Sequence, residues 1–129
     1  MKLLLDTRAV VWWWTDDARL PAAARDAIAD AANIVHVSAA SAWEIATRNR
    51  LGKWPDVDKI VAKFPALLRR SRFAPLAVSV EHARLAGSLA GAHRDPFDRM
   101  LIARSTAGGA ALVSADPVFR SLGVDVIRA

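Results

Sequence analysis

Apolar residues in this chain come in two kinds of run. The first kind is short, continuous and sharply ended. Lys2-Leu3-Leu4-Leu5 stops at Asp6, Ile34-Val35-His36-Val37 stops at Ser38, and Ala111-Leu112-Val113 stops at Ser114. Runs of this length, with β-branched or leucine side chains and no alternation, predict strands buried on both faces. Leu76-Ala77-Val78 and residues 124–127 are weaker examples.

The second kind repeats at helical spacing or carries helix punctuation. Residues 9–14 predict a short helix with two buried faces, because they show no alternation. Pro21 opens a helix over 22–32, since proline suits a first turn. Ser38 and Ser41 precede a helix from 42 to about 50, which Gly52 ends. Residues 56–72 predict a helix broken or kinked by Pro65. A helix over 80–91 would turn Val80, Ala83, Leu85, Ala86 and Leu89 to the core. Pro96 begins another, with Phe97, Met100, Leu101 and Ala103 buried and Gly108-Gly109 as its stop; Asp116-Pro117 starts a last short one.

The order is β-α-α-β-α-α-β-α-α-β-α-β. Such alternation predicts an α/β fold in three layers, a central parallel sheet of about five strands with helices on both faces. With 129 residues and no repeat or linker, one domain spanning 1–129 is expected.

Composition adds three limits. The chain is 53% apolar and 24% charged, which is globular rather than disordered. It has no cysteine, which excludes disulfides and thiolate metal sites and fits a reducing compartment. The amino terminus resembles a signal peptide for only four residues before Asp6 and Arg8 interrupt it, and residues 9–14 are too few to span a bilayer. A cytoplasmic protein without membrane attachment is expected. The net charge of +5 favours a polyanion or an acidic protein partner, although ordinary arginine usage gives the same number.

There are only 13 acidic residues, so their placement is informative. Asp6 follows the first strand, Glu44 lies a few residues beyond the second in the first turn of a helix, and Asp116 follows the fourth. Asp95 and Asp98 open the helix leading to the fourth strand. Ligands of open parallel sheets bind outside the carboxyl ends of the strands, so Asp6, Glu44 and Asp116 belong to one edge. Each also has a plain structural reading. Ser41-Ala42-Trp43-Glu44 matches a capping box, Asp95-Pro96-Phe97-Asp98 and Asp116-Pro117 are helix starts, and Asp6 suits a cap. Asp6 is the hardest to explain this way, because a carboxylate ending a buried strand is costly to desolvate without a partner or a metal. Taken together, the set suits Mg²⁺ or Mn²⁺, which prefer oxygen ligands and can activate water against a phosphodiester.

At this point the residues resemble those of a known family. Leu3-Leu4-Leu5-Asp6-Thr7 with Trp12-Trp13, Ser38 with Trp43-Glu44-Ile45, Leu51-Gly52-Lys53, the block from His93 through Asp95-Pro96-Phe97-Asp98-Arg99 to Ala103, and Leu112-Val113-Ser114-Ala115-Asp116 with Phe119 are similar to a PIN-domain ribonuclease of the VapC toxin type. The Asp-Pro-Phe-Asp-Arg block is specific, and the others gain weight from their order. The resemblance runs nearly end to end. It implies a PIN fold, Mg²⁺- or Mn²⁺-dependent cleavage of RNA, neutralisation by a small antitoxin, and a homodimer. It also implies a catalytic and metal-binding set of Asp6, Glu44, Asp98 and Asp116, with Asp95, Thr7, Ser114 and Arg8 as accessories.

Arg8 departs from the family, which commonly has histidine there. Arginine cannot act as a base, although it can hold a phosphate bidentately or pair with Asp6. The alternative is therefore a PIN-like protein that binds RNA or an antitoxin without cleaving. A phosphohydrolase of another α/β class is disfavoured, because Arg8 occupies the place of its usual second aspartate. Trp12-Trp13-Trp14 either pack between helices or present one ring to a partner. Arg69, Arg70 and Arg72 form a solvated helix end or a polyanion contact. His36, His82 and His93 lack metal-ligand spacing, and His93 is the one expected nearest the site.

Overall fold

Strand β1 (Lys2–Leu5) lies at the centre of a five-stranded, all-parallel sheet of order β3-β2-β1-β4-β5. The partners are β2 (Ile34–Ser38), β3 (Ala74–Leu76), β4 (Ala111–Ser114) and β5 (Val126–Arg128). The helices are α1 (Thr7–Trp14), α2 (Ala22–Ala29), α3 (Ala39–Arg50), α4 (Asp58–Ser71), α5 (Val80–Ser88), α6 (Pro96–Gly108) and α7 (Val118–Ser121), with a 3-10 turn at Pro55–Val57. This computed structural model describes residues 1–91, 95–121, 124 and 126–128. No described helix is long and apolar enough to cross a membrane.

The strand run 3–5 shows why both faces must be covered. Leu3 and Leu5 enter one core with Val10, Ala24, Ile28, Ile45, Val57 and Ile60, from the α1–α4 side. Leu4 enters the other with Leu101, Ile102, Leu112 and Phe119, from the α6 and α7 side. Side chains alternate across a strand, so three consecutive leucines demand an apolar layer on each face.

Several boundaries differ from the sequence expectation. Helix α3 begins at Ala39 rather than 42: Ser38, not Ser41, is its cap, and the Ser38 hydroxyl accepts the Ala40 amide at 3.0 Å. Glu44 is thereby in the second turn, and the capping box at Ser41 does not form. Helix α2 stops at Ala29, because Asp30 and Asn33 build a local turn; Asp30 Oδ1 accepts the Ala32 amide, and the Asn33 side chain donates to the Ala27 carbonyl. Strand β3 occupies 74–76 rather than 76–78 and contains Pro75, tolerable because this strand is at the sheet edge.

Pro65 kinks α4 rather than ending it, and Lys63 leaves the helical region at φ −112°, ψ 16°. Helix α5 ends at Ser88 and packs chiefly on α6, so of its expected apolar face only Ala86 is buried, while Val80 is 89% exposed. The three tryptophans are packing residues. Trp12 is buried, Trp13 and Trp14 lie against Phe73, Trp14 also meets Phe64 edge-on, and the Trp14 indole donates to Ser71 Oγ at 2.7 Å. Arg69, Arg70 and Arg72 are exposed at the end of α4.

Candidate active site

The strand order reverses at β1: the chain runs outward through β2 and β3, then returns to place β4 on the other side. A crevice forms outside the carboxyl ends of the strands at such a switch point. Register puts Asp6 level with Ser38 on one side and Ser114 on the other, since Leu5 pairs with both Val37 and Val113.

Asp6 is buried and holds two structural bonds. It caps α1, its Oδ1 accepting the Ala9 amide at 2.8 Å, while Oδ2 accepts the Ser114 hydroxyl at 2.5 Å. Burial pushes its carboxyl up to about 6. The bonds from Ser114 and Ala9 oppose that shift, the charge of Asp98 adds to it, and the charge of Arg8 opposes it most weakly. Arg8 is exposed and forms no ion pair with Asp6 among the described residues. The pairing weighed for these two residues is therefore absent.

Glu44 is buried on α3 and does not cap its helix. Its Oε1 accepts the Thr7 hydroxyl at 2.6 Å, and Ser41 Oγ lies 3.2 Å from that same hydroxyl. Its Oε2 accepts the Arg48 Nε–H at 2.8 Å, one helical turn on. Asp95 caps α6, its Oδ1 accepting the Phe97 and Asp98 amides, while its Oδ2 lies 3.7 Å from Arg48. Asp98 is half-buried in the first turn of α6. Asp116 is exposed; its amide donates to Ser114 Oγ, and its Oδ1 accepts the Val118 amide. The capping readings of Asp6 and Asp95 thus hold; Asp116 lies one residue before the cap of α7, which begins at Val118, and its carboxylate is held by the Val118 amide.

One cleft encloses about 730 Å³, and Asp6, Thr7, Arg8, Glu44, Asp95, Asp98 and Asp116 all line it. Ser114 reaches it through Asp6. Among the other lining residues, sequence reasoning gave no role to Arg19, Arg48 and Trp54, and it met Lys53 only within the Leu51-Gly52-Lys53 motif. Only Arg48 had a readable signal, its spacing of four from Glu44. His36 is on β2, its ring pushed toward neutrality by burial and by the charges of Lys2 and Arg104. His82 serves a capping box with Ser79. Neither histidine lines the cleft, and His93 lies outside the described residues.

Among the described residues the donor set suits a hard divalent cation: carboxylates and hydroxyls, with no imidazole. Among the described residues, however, no three acidic or imidazole groups stand close enough together to hold one ion. Glu44 is drawn to Thr7 and Arg48, and Asp95 to the α6 amides.

The arrangement is that of a small α/β protein with an acidic site at the switch point of its sheet. Residues 3–124 match the PIN domain model, and the chain belongs to the PIN domain family. A curated relative, ribonuclease VapC16 of Mycobacterium tuberculosis, is 44% identical over 62 residues, which are 48% of this chain and 43% of that protein. Among solved structures, VapBC2 from Rickettsia felis bound to a DNA fragment from their promoter aligns over 99% of this chain and 98% of that chain at TM-score 0.69 and 16% identity. FitAcB from Neisseria gonorrhoeae aligns over 98% and 96% at TM-score 0.55 and 20% identity. These structural likenesses establish the three-layer fold.

Proposed function

We propose that this chain is the toxin of a toxin–antitoxin pair, an endoribonuclease that cuts RNA phosphodiesters with Mg²⁺ or Mn²⁺ held by Asp6, Glu44, Asp98 and Asp116. The observation that carries the reading is the convergence of acids from β1, α3, α6 and the end of β4 on one cleft at the carboxyl edge of the sheet. PIN family membership and the partial match to a ribonuclease support the same chemistry.

A bound divalent ion would supply a Lewis acid for the phosphodiester and a water acidified toward hydroxide. The chain's residues supply the rest. Asp6 is held in place by Ala9 and Ser114 and would hold the ion, and its carboxyl, raised to about 6 by burial, would then be one a proton competes for at lower pH. Thr7 orients Glu44, and Asp95 holds the first turn of α6, which carries Asp98. Arg8, Arg19 and Lys53 line the cleft as cations for the RNA backbone. A small antitoxin partner, a homodimer and a cytoplasmic location belong to the same reading.

The test is cleavage of a mixed panel of structured RNAs by wild type and Asp6→Asn, with Mn²⁺ and with EDTA. Cleavage that needs the metal and is lost in a folded variant is expected; full activity of the variant would sink the mechanism. A second reading, a PIN-like protein that binds RNA or an antitoxin without cutting, is favoured by Arg8 and by the engagement of both Glu44 oxygens within the protein. It predicts RNA binding with no cleavage at any Mg²⁺ or Mn²⁺ concentration.

A further inference from the structure

Arg48 holds an unusual place among the cations of the cleft. Arg19 pairs outside the acidic set, with Asp17, and Arg8 and Lys53 form no ion pair among the described residues. Arg48 alone of these four forms an ion pair with a proposed ligand, Glu44, and it also stands near the accessory Asp95. Its Nε–H donates to Glu44 Oε2 at 2.8 Å, and its Nη2 stands 3.7 Å from Asp95 Oδ2. It therefore bridges α3 and α6, the helices that supply Glu44 and Asp98.

We propose that Arg48 is a resident counter-cation of the acidic site, a positioning residue that competes with the divalent ion for Glu44 and yields it when the ion binds. This rests on the reading of Glu44 as a metal ligand. Three observations lead to it. The Glu44 side chain is only 9% exposed, so its charge needs a partner, and Arg48 with Thr7 satisfies both oxygens. The Arg48 side chain is 38% exposed, so it can swing away from Glu44 without breaking a core. The acids share one cleft, yet among the described residues no three of them stand close enough to hold one ion, and Glu44 Oε2 is engaged by Arg48.

A competitor and a simple scaffold predict opposite results. If Arg48 only holds Glu44 in place for the metal, removing it weakens metal binding. If it competes, removing it tightens binding, because the ion no longer has to displace a guanidinium and the acids it leaves repel one another. A partly exposed ion pair of this kind sets the scale of the competition, so a gain of roughly five-fold is expected.

The experiment is calorimetric titration of Mg²⁺ into wild type, Arg48→Met and Arg48→Lys, with melting curves in EDTA alongside. The expected result is tighter Mg²⁺ binding by Arg48→Met, an intermediate value for Arg48→Lys, and a lower melting temperature for Arg48→Met in EDTA that Mg²⁺ largely restores. Unchanged or weaker Mg²⁺ binding in both variants overturns the proposal. Should Arg48→Met fail to fold, the wild-type protein still decides. The ¹⁵N–¹H signal of Arg48 Nε shifts on Mg²⁺ saturation if the bond to Glu44 is released, and its constancy at saturation overturns the idea. These readouts need no RNA. A wild type that binds Mg²⁺ but never cuts RNA therefore defeats the nuclease reading and leaves this one standing.

Discussion

A carboxylate is costly to bury, and Asp6 is buried with hydroxyl and amide donors but no cation paired to it among the described residues. Its folded carboxyl titrates near 6, above the ordinary 3.8, so the folded protein holds that proton more tightly than the unfolded chain does. The stability this gives is fully present below about pH 4 and is lost as the pH rises through 6. In EDTA, Asp6→Asn is therefore expected to melt above wild type at pH 7.5, by on the order of 2–3 kcal/mol, and to converge with it near pH 4. Parallel melting curves across that range would show that burial of Asp6 costs nothing. Thr7 acts on the other buried acid. Thr7→Val removes the donor to Glu44 Oε1 and is expected to cost about 1–3 kcal/mol in urea unfolding, because it leaves an acceptor without its partner.

Helix ends put the site residues in place. Asp6, Ser38 and Asp95 cap α1, α3 and α6; Asp6 directly follows β1, and Ser38 is itself the last residue of β2. Helices α1 and α3 thus start where the sheet ends, and Asp95 and Asp98 bring the start of α6 to the same cleft. At the far end of α6, Gly109 adopts φ 63°, which turns the chain into β4 and so sets Ser114 and Asp116. A Cβ there would meet no atom within 4 Å, so Gly109→Ala is penalised by backbone strain alone. A loss of about 1 kcal/mol is expected from the urea midpoint, and a neutral result would mean the turn tolerates a left-handed alanine. Much of this was readable locally: Asp95-Pro96 and Gly108-Gly109 bracket α6 almost as the sequence implies. The errors fell where tertiary contacts outvoted local signals. Ser38 took the cap from Ser41, because the strand runs straight into the helix. Val80 stayed outside, because α5 leans on α6.

Across the whole molecule, a net charge of +5 coexists with an acidic cleft, so the cations at its rim set the response to a polyanion. RNA binding, measured with a metal that does not support cleavage, is expected to weaken log-linearly with salt, and Lys53→Ala to lower the slope by roughly 1. An unchanged slope would place the RNA backbone elsewhere.

The α/β class, the parallel sheet, the core leucines and the acids at the carboxyl edge are legible in local patterns, because strand runs and helix caps are short-range signals. What those acids touch emerges only from the folded chain. The pairing of Thr7 with Glu44, the bond from Ser114 to Asp6 and the bridge of Arg48 to Asp95 join residues 37, 108 and 47 positions apart. Contacts over such separations depend on strand order and register, which no local pattern encodes. The same holds for the desolvation of Asp6, which exists only once both faces of the sheet are covered.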